Sequence, residues 1–384
     1  MSSSSSLKIM VFSWNADGLR ICETMNAQKA QNDRRGFFKR HYKKPCITPD
    51  FFADIRDVLQ QQSPDVVIMS TEQEADKDTY FHSHFLPQYM GEIIPEPNIT
   101  YTLLLRDVQP YNVSLDIKNT IATGPPDGVS LRMSIYIKDS MVGQFSVDRS
   151  PTFGSLIKNS EQKFQHLFLS KSIGVIMMVI NHHIYGSLTF ICTHISSLAD
   201  AGDRPDHYVY NDVHSHRTES MMLNNIFLSR LLDDVTKSST GTNHIFLLGD
   251  FDFNIITSNS AIKNTIEHTN KETLQNLLQY DELTICKKFY PLRQYNEGVN
   301  NEGPMFIPDW KLSKNRPPSC NKSADIKCFD INQSDNFGWH SRILYRDIGV
   351  HYITRCTSYN RIDVGNMKFS AHAGVFGIYR LDAV

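Results

Sequence analysis

Apolar residues fall in short runs of strand length along the chain. Such runs occupy residues 9–13, 65–69, 100–105, 131–137, 174–180, 188–193, 244–248 and 375–379. Several are β-branched and bounded by polar residues, Gly or Pro, the signature of buried strands. Two amphipathic stretches, 51–61 and 218–235, predict helices; in the second, Met222, Ile226, Leu228, Leu231 and Leu232 fall on one face. Strands mixed with helices, some strands consecutive, predict an α+β fold: a four-layer α/β sandwich of two packed mixed β-sheets flanked by helices. The expected organisation is a single domain over residues 7–384 behind a Ser-rich, disordered stretch at 1–6. Residues 294–304, rich in Asn and Gly, and 312–336, with Pro317-Pro318, are expected to be surface loops.

Composition narrows the function classes. The 384 residues are 40% hydrophobic and 21% charged, with a net charge of −2. That balance supplies no global basic field, which argues against nucleic acid as a partner. The seven cysteines are scattered, with no CxxC pair, so no zinc site is expected and the thiols are read as reduced. No apolar run reaches the ~18 residues of a membrane span, and the N-terminus lacks the pattern of a signal peptide. The expected location is cytoplasmic, and the Asn- and Ser-rich polar loops suit a protein of a large DNA virus or a parasite. His182-His183 and the group His207, His214, His216 have no defensible metal-ligand spacing.

The chemistry is concentrated at strand ends. In chain order these are residues 13–20 (SWNADGLR), 64–74 (PDVVIMSTEQE), 192–195 (CTHI), the Gly249-Asp250 turn after an apolar strand, and 369–372 (FSAH). Singly, each reads as an ordinary turn or solvated loop. In this order they resemble the endonuclease/exonuclease/phosphatase superfamily, across nearly the whole chain. The first motif looks most like the AP endonuclease branch. Residues 306–311 (FIPDWK) and 338–344 (GWHSRIL) look like inositol polyphosphate 5-phosphatases.

The resemblance implies metal-assisted phosphoester hydrolysis, with Mg²⁺ as the cofactor where activity persists. By position it assigns catalysis to Asn15, His194, Asp250 and His372, the metal to Asp17 and to Glu72 or Glu74, and substrate phosphates to Lys311 and Arg342. The implied ligand is a phosphorylated small molecule or phosphoinositide.

The chain departs from that pattern in several places. The residue two beyond Asp250 is Asp252, where the family has Asn; an alternative register pairs Asp252 with Asn254. A carboxylate ~4 Å from a phosphate charge costs roughly 4 kcal/mol at an effective dielectric near 20. The acid expected within residues 338–344 is replaced by Ser341 or Arg342, and Ser370-Ala371-His372 lacks another. Counting from Pro64 puts Gln73 at the metal position unless a one-residue bulge restores Glu74. These losses lead to the expectation of a degenerate relative, a pseudoenzyme acting by ligand binding or as a structural or assembly component. The alternative is an active Mg²⁺-dependent phosphoesterase on inositol polyphosphates or phosphoinositides. A nuclease, supported only by the first motif, ranks behind both.

Overall fold

A computed structural model describes residues 6–15, 20–21, 46–47, 53–74, 100–110, 130–148, 173–195, 213–238, 241–309, 312, 328–329, 337–349, 351–362 and 372–384. Its strands are β1 (Leu7–Asn15), β2 (Arg20–Ile21), β3 (Cys46–Ile47), β4 (Val66–Glu74), β5 (Tyr101–Pro110), β6 (Ser130–Lys138), β7 (Phe145–Asp148), β8 (Ile173–His182), β9 (Gly186–Ile195), β10 (Asn243–Asp250), β11 (Asn296–Glu297), β12 (Ser341–Ile348), β13 (Tyr352–Arg361) and β14 (Val375–Ala383). The helices are α1 (Ala53–Gln62), α2 (Val213–Ser238), α3 (Asn259–Glu267), α4 (Lys271–Leu278) and α5 (Glu282–Cys286). Each of the expected apolar runs lies within or largely within a strand, and both expected helices form.

Two six-stranded mixed sheets pack face to face, in the orders β13-β14-β1-β4-β6-β5 and β11-β12-β10-β9-β8-β7. Period-2 alternation sorts each central strand between two cores. On β9 and β10, Phe190, Cys192, Phe246 and Leu248 turn into the space between the sheets. Ile191, Ile195, Ile245 and Leu247 turn outward under Leu228, Leu232 and Val235 of α2. Aromatic contacts join the layers: Phe246 meets Tyr379 of β14 edge-on at 5.1 Å, and Tyr379 meets Tyr345 of β12 at 5.2 Å. On the far side Ile55 and Leu59 of α1 are buried.

Strand direction is what builds the site. Among the described strands each large sheet contains one parallel pair, β1 with β4 and β9 with β10. The carboxyl ends of these four strands share one edge, the usual place for a ligand in a parallel arrangement. The starts of β12 and β14, antiparallel to β10 and β1, reach the same edge.

Several expectations need correction. Met222 is 55% exposed, so the buried face of α2 is carried by Leu228, Leu231 and Leu232. Residues 294–304 are no surface loop: β11 pairs with β12, and Glu297 is buried. Cys328 is disulfide-bonded, so the cysteines are not all reduced thiols. Among the described residues no helix is long and apolar enough to cross a membrane.

Candidate active site

The turn after β10 sets the geometry. Gly249 has φ +133°, and a Cβ there would lie 1.8 Å from the Thr193 carbonyl oxygen. Only glycine lets β10 press this close to β9. Asp250 follows as the last inward position of its strand and is buried. Its Oδ2 accepts from Asn15 Nδ2 at 2.6 Å, and its Oδ1 from the Asp252 amide at 3.0 Å. Asp252 is held at φ +52°, with Asn224 of α2 donating to the carbonyls of Phe251 and Asp252.

Imidazoles surround this carboxylate. His194 Nε2 lies 4.0 Å from Oδ2, His372 Nδ1 3.6 Å from Oδ2, and His340 Nδ1 3.9 Å from Oδ1. Burial pushes His194 down to about 3, and burial with the neighbouring His194 and Arg342 does the same to His340. Both rings are therefore neutral at physiological pH. Burial raises Asp250 to about 8; the bonds from Asn15 and the Asp252 amide oppose that, and the charges of Asp309 and Glu72 add to it.

Asn15, His194, Asp250 and His372, expected as catalytic residues, are thus brought together from four separate segments. Glu72, beside Asn15 in the β1–β4 register, is fully buried. Its Oε1 accepts from Ser13, Ser70 and, across the sheets, Cys192, while Oε2 is an orphaned buried oxygen. Burial raises Glu72 to about 7, against the hydrogen bonds from Ser13, Cys192 and Ser70. The bulge considered for β4 exists, with the register slipping between Thr71 and Glu74. Asp17, Lys311, Ser370 and Ala371, and the side chains of Gln73 and Glu74, lie outside the described residues.

Arg342 is placed elsewhere. Its guanidinium is fully buried, forked onto Glu297 at 2.5 and 2.7 Å and paired with Asp281 at 2.9 Å. Burial alone would raise Glu297, yet Arg342 holds it below the usual range. A cation committed to two buried acids cannot reach out to a substrate phosphate, so its expected binding role gives way to a structural one.

Two site residues escaped assignment: His340 and Asp309. Beyond the β10–β12 ladder, segments 251–255 and 337–340 continue to pair, through Phe251 N–H to the His340 carbonyl and Ile255 N–H to the Phe337 carbonyl. Gly338 permits this, since a Cβ there would meet the Phe253 oxygen at 2.5 Å. His340 is thereby laid against Asp250, Asp252 and Asn254. Asp309 is fully buried and accepts from the consecutive amides of His340 and Ser341, while its own carbonyl takes the Ala373 amide. One residue thus ties the His340 and His372 segments together. Both lay inside quoted motifs; the signal was an aromatic-flanked His and a Pro-Asp pair.

Asp250 takes the centre, and Asn254 Oδ1 bonds His340 Nε2 at 3.0 Å.

Comparison with known proteins decides the family. The pattern of endonuclease/exonuclease/phosphatase family 2 matches residues 129–378, well over half of the chain. The chain belongs to this family. A search of curated proteins finds no match. Among solved structures, the inositol polyphosphate 5-phosphatase domain of SPsynaptojanin, in complex with inositol (1,4)-bisphosphate and calcium ion, is 14% identical with a TM-score of 0.51, covering 99% of this chain and 86% of that one. A Cimex nitrophorin in its ferrous NO complex is 16% identical with a TM-score of 0.51, covering 100% of both chains. At such identities these likenesses establish the fold alone.

Membership of the endonuclease/exonuclease/phosphatase family implies a divalent cation. Mg²⁺ takes oxygen ligands. Glu72 Oε1 is taken by three donors and only its orphaned Oε2 is left over; among the described residues, the ligand atoms that cluster within 4.8 Å of one another belong to Asp250, His340 and His372. One carboxylate with two imidazoles does not fit Mg²⁺.

Proposed function

We propose that this chain binds a phosphorylated small molecule of the inositol phosphate or phosphoinositide class, through a cation, with little hydrolytic turnover. One observation carries the reading. Glu72, Asp250 and Asp309 are buried carboxylates, and among the described residues no Lys or Arg pairs with any of them. A phosphate entering such a pocket finds no side-chain cation among the described residues and meets repulsion from each of these acids that has lost its proton, unless a metal intervenes. Asp252 adds a further carboxylate, its Oδ1 3.9 Å from His340 Nδ1, where the family pattern has a neutral Asn.

The chemistry left to the chain's own residues is positioning. Asn15 orients Asp250, Asp250 faces three imidazoles, and His194 and His372 present nitrogens to a phosphoryl oxygen. A bound cation would supply charge neutralisation. The sequence-based expectation of a binding or assembly component is kept as this proposal.

A second reading, active hydrolysis, is favoured by Asp309. It places a carboxylate against the backbone of Ser341, where the family acid is missing. Calorimetry with inositol phosphates and short-chain phosphoinositides, beside a phosphate-release assay across divalent metals, separates the two. Metal-dependent binding without release supports the proposal. Release abolished by Asp250→Ala establishes the second reading, and no binding with any metal refutes both.

A further inference from the structure

We propose that Asp250, His340 and His372 form a site for a transition-metal dication of the Zn²⁺ or Co²⁺ class, in place of Mg²⁺. The inference deepens the functional reading by naming its cation; it rests on that reading only for the phosphorylated ligand.

The distances carry it. His340 Nδ1 and His372 Nδ1 stand 3.9 and 3.6 Å from opposite oxygens of Asp250. Those spans are too long for hydrogen bonds. They sit slightly above the ligand-to-ligand edge of about 3.3 Å that bonds of ~2.0–2.1 Å give in a tetrahedron. All the donor atoms lie within 4.8 Å of one another, and all three residues are buried.

The hydrogen-bond pattern aims His340 correctly. Asn254 Nδ2 donates to the Asp252 carbonyl at 3.5 Å, so its Oδ1 faces the imidazole. His340 must then donate from Nε2. Its Nδ1 then faces the carboxylates of Asp250 and Asp252, 3.9 Å from each. A ligating imidazole whose other N–H is anchored on a carbonyl is the usual arrangement around zinc. Asp309 fixes the His340 backbone at 2.8 Å, which holds the ring in place without spending either nitrogen.

Donor chemistry sets the selectivity. Two nitrogens and one oxygen suit Zn²⁺, Co²⁺ or Ni²⁺, whereas Mg²⁺ demands oxygen. Histidine 340 is the residue that tips the set from oxygen-rich to nitrogen-rich.

The test uses the full chain, stripped with chelator and free of any phosphorylated ligand. Zn²⁺ should bind at one equivalent by calorimetry and raise the thermal midpoint. Mg²⁺ at a hundredfold excess should do neither and should not compete. Co²⁺ should give visible d–d absorption with nitrogen ligation by X-ray absorption, readouts on the unmutated protein. His340→Ala and His372→Ala should each weaken Zn²⁺ at least tenfold while far-UV circular dichroism is retained. Equal competition by Mg²⁺, or an all-oxygen Co²⁺ environment, overturns the site. If Zn²⁺ binds as described but no inositol phosphate follows it, the metal assignment stands and the ligand reading alone fails.

Discussion

Asp309 clasps two consecutive backbone amides, those of His340 at 2.8 Å and Ser341 at 2.9 Å, with one oxygen for each. This carboxylate comes from the 306–311 segment, away from the 338–344 motif in which the acid was expected. It occupies the neighbourhood of the missing one. Burial raises it to about 6, against the bonds from Ser341 and His340.

That relationship changes what a restoration experiment should show. Ser341→Asp alone would set a second carboxylate beside Asp309, so it should destabilise the fold by about 2–4 kcal/mol. Adding Asp309→Asn should recover part of that loss, because one charge is removed while one of the two amides keeps its acceptor. Urea denaturation of the two single variants and the double variant provides the cycle. Additive effects would show that the positions do not exchange roles.

Arg342 offers a discriminating substitution. Arg342→Met leaves Asp281 and Glu297 buried with their shared cation gone, which costs about 3–5 kcal/mol. Ligand affinity per folded molecule should be unchanged. A large loss of affinity with stability preserved would return Arg342 to the substrate-binding role.

Gly249→Ala should be far more severe than an ordinary surface change. Its methyl would fall 1.8 Å from the Thr193 carbonyl oxygen, which is backbone and cannot move aside cheaply. The strand must part at the site, at a cost of about 3 kcal/mol or more. Zn²⁺ affinity should collapse together with the thermal midpoint.

Stability of the chelated protein should depend on pH with a particular sign. Asp250 at about 8 and Glu72 at about 7 keep protons that the unfolded chain releases near its ordinary carboxylate values. Stability therefore falls as pH rises through those folded values. His194 and His340, both at about 3, act oppositely: the unfolded chain gains protons below about 6.5, and stability falls on acidification. The two sets largely offset each other near pH 5. From about pH 6.5 to 8 only the carboxylates act, so the thermal midpoint should drop across that window. A midpoint that rises there, measured by calorimetry in chelator, would contradict the buried placement of Asp250.

Much of the architecture could be read from the chain because β9 and β10 are apolar on both faces and end in a chemical residue. Asn15, His194, Asp250 and His372 were legible for the same reason: each sits at or beside the end of a clear strand. His340 was not, since it precedes β12 and follows no alternation of its own. Arg342 misled because a charged residue suggests solvent, and its partners Asp281 and Glu297 are 61 and 45 residues away in sequence. Glu297 was hidden in a stretch whose Asn and Gly content reads as loop. Helices α3 to α5 also went unread; α4 shows three buried leucines only once its Asn270 capping box is seen.

Trp14 donates from its indole nitrogen to the carbonyl of His372 across a sequence separation of 358. With β1 zipped against β14, the pocket draws its walls from strands far apart in sequence. A ribosome making this chain releases the first wall long before the last. The proposed cation cage is therefore complete only once synthesis has passed β14.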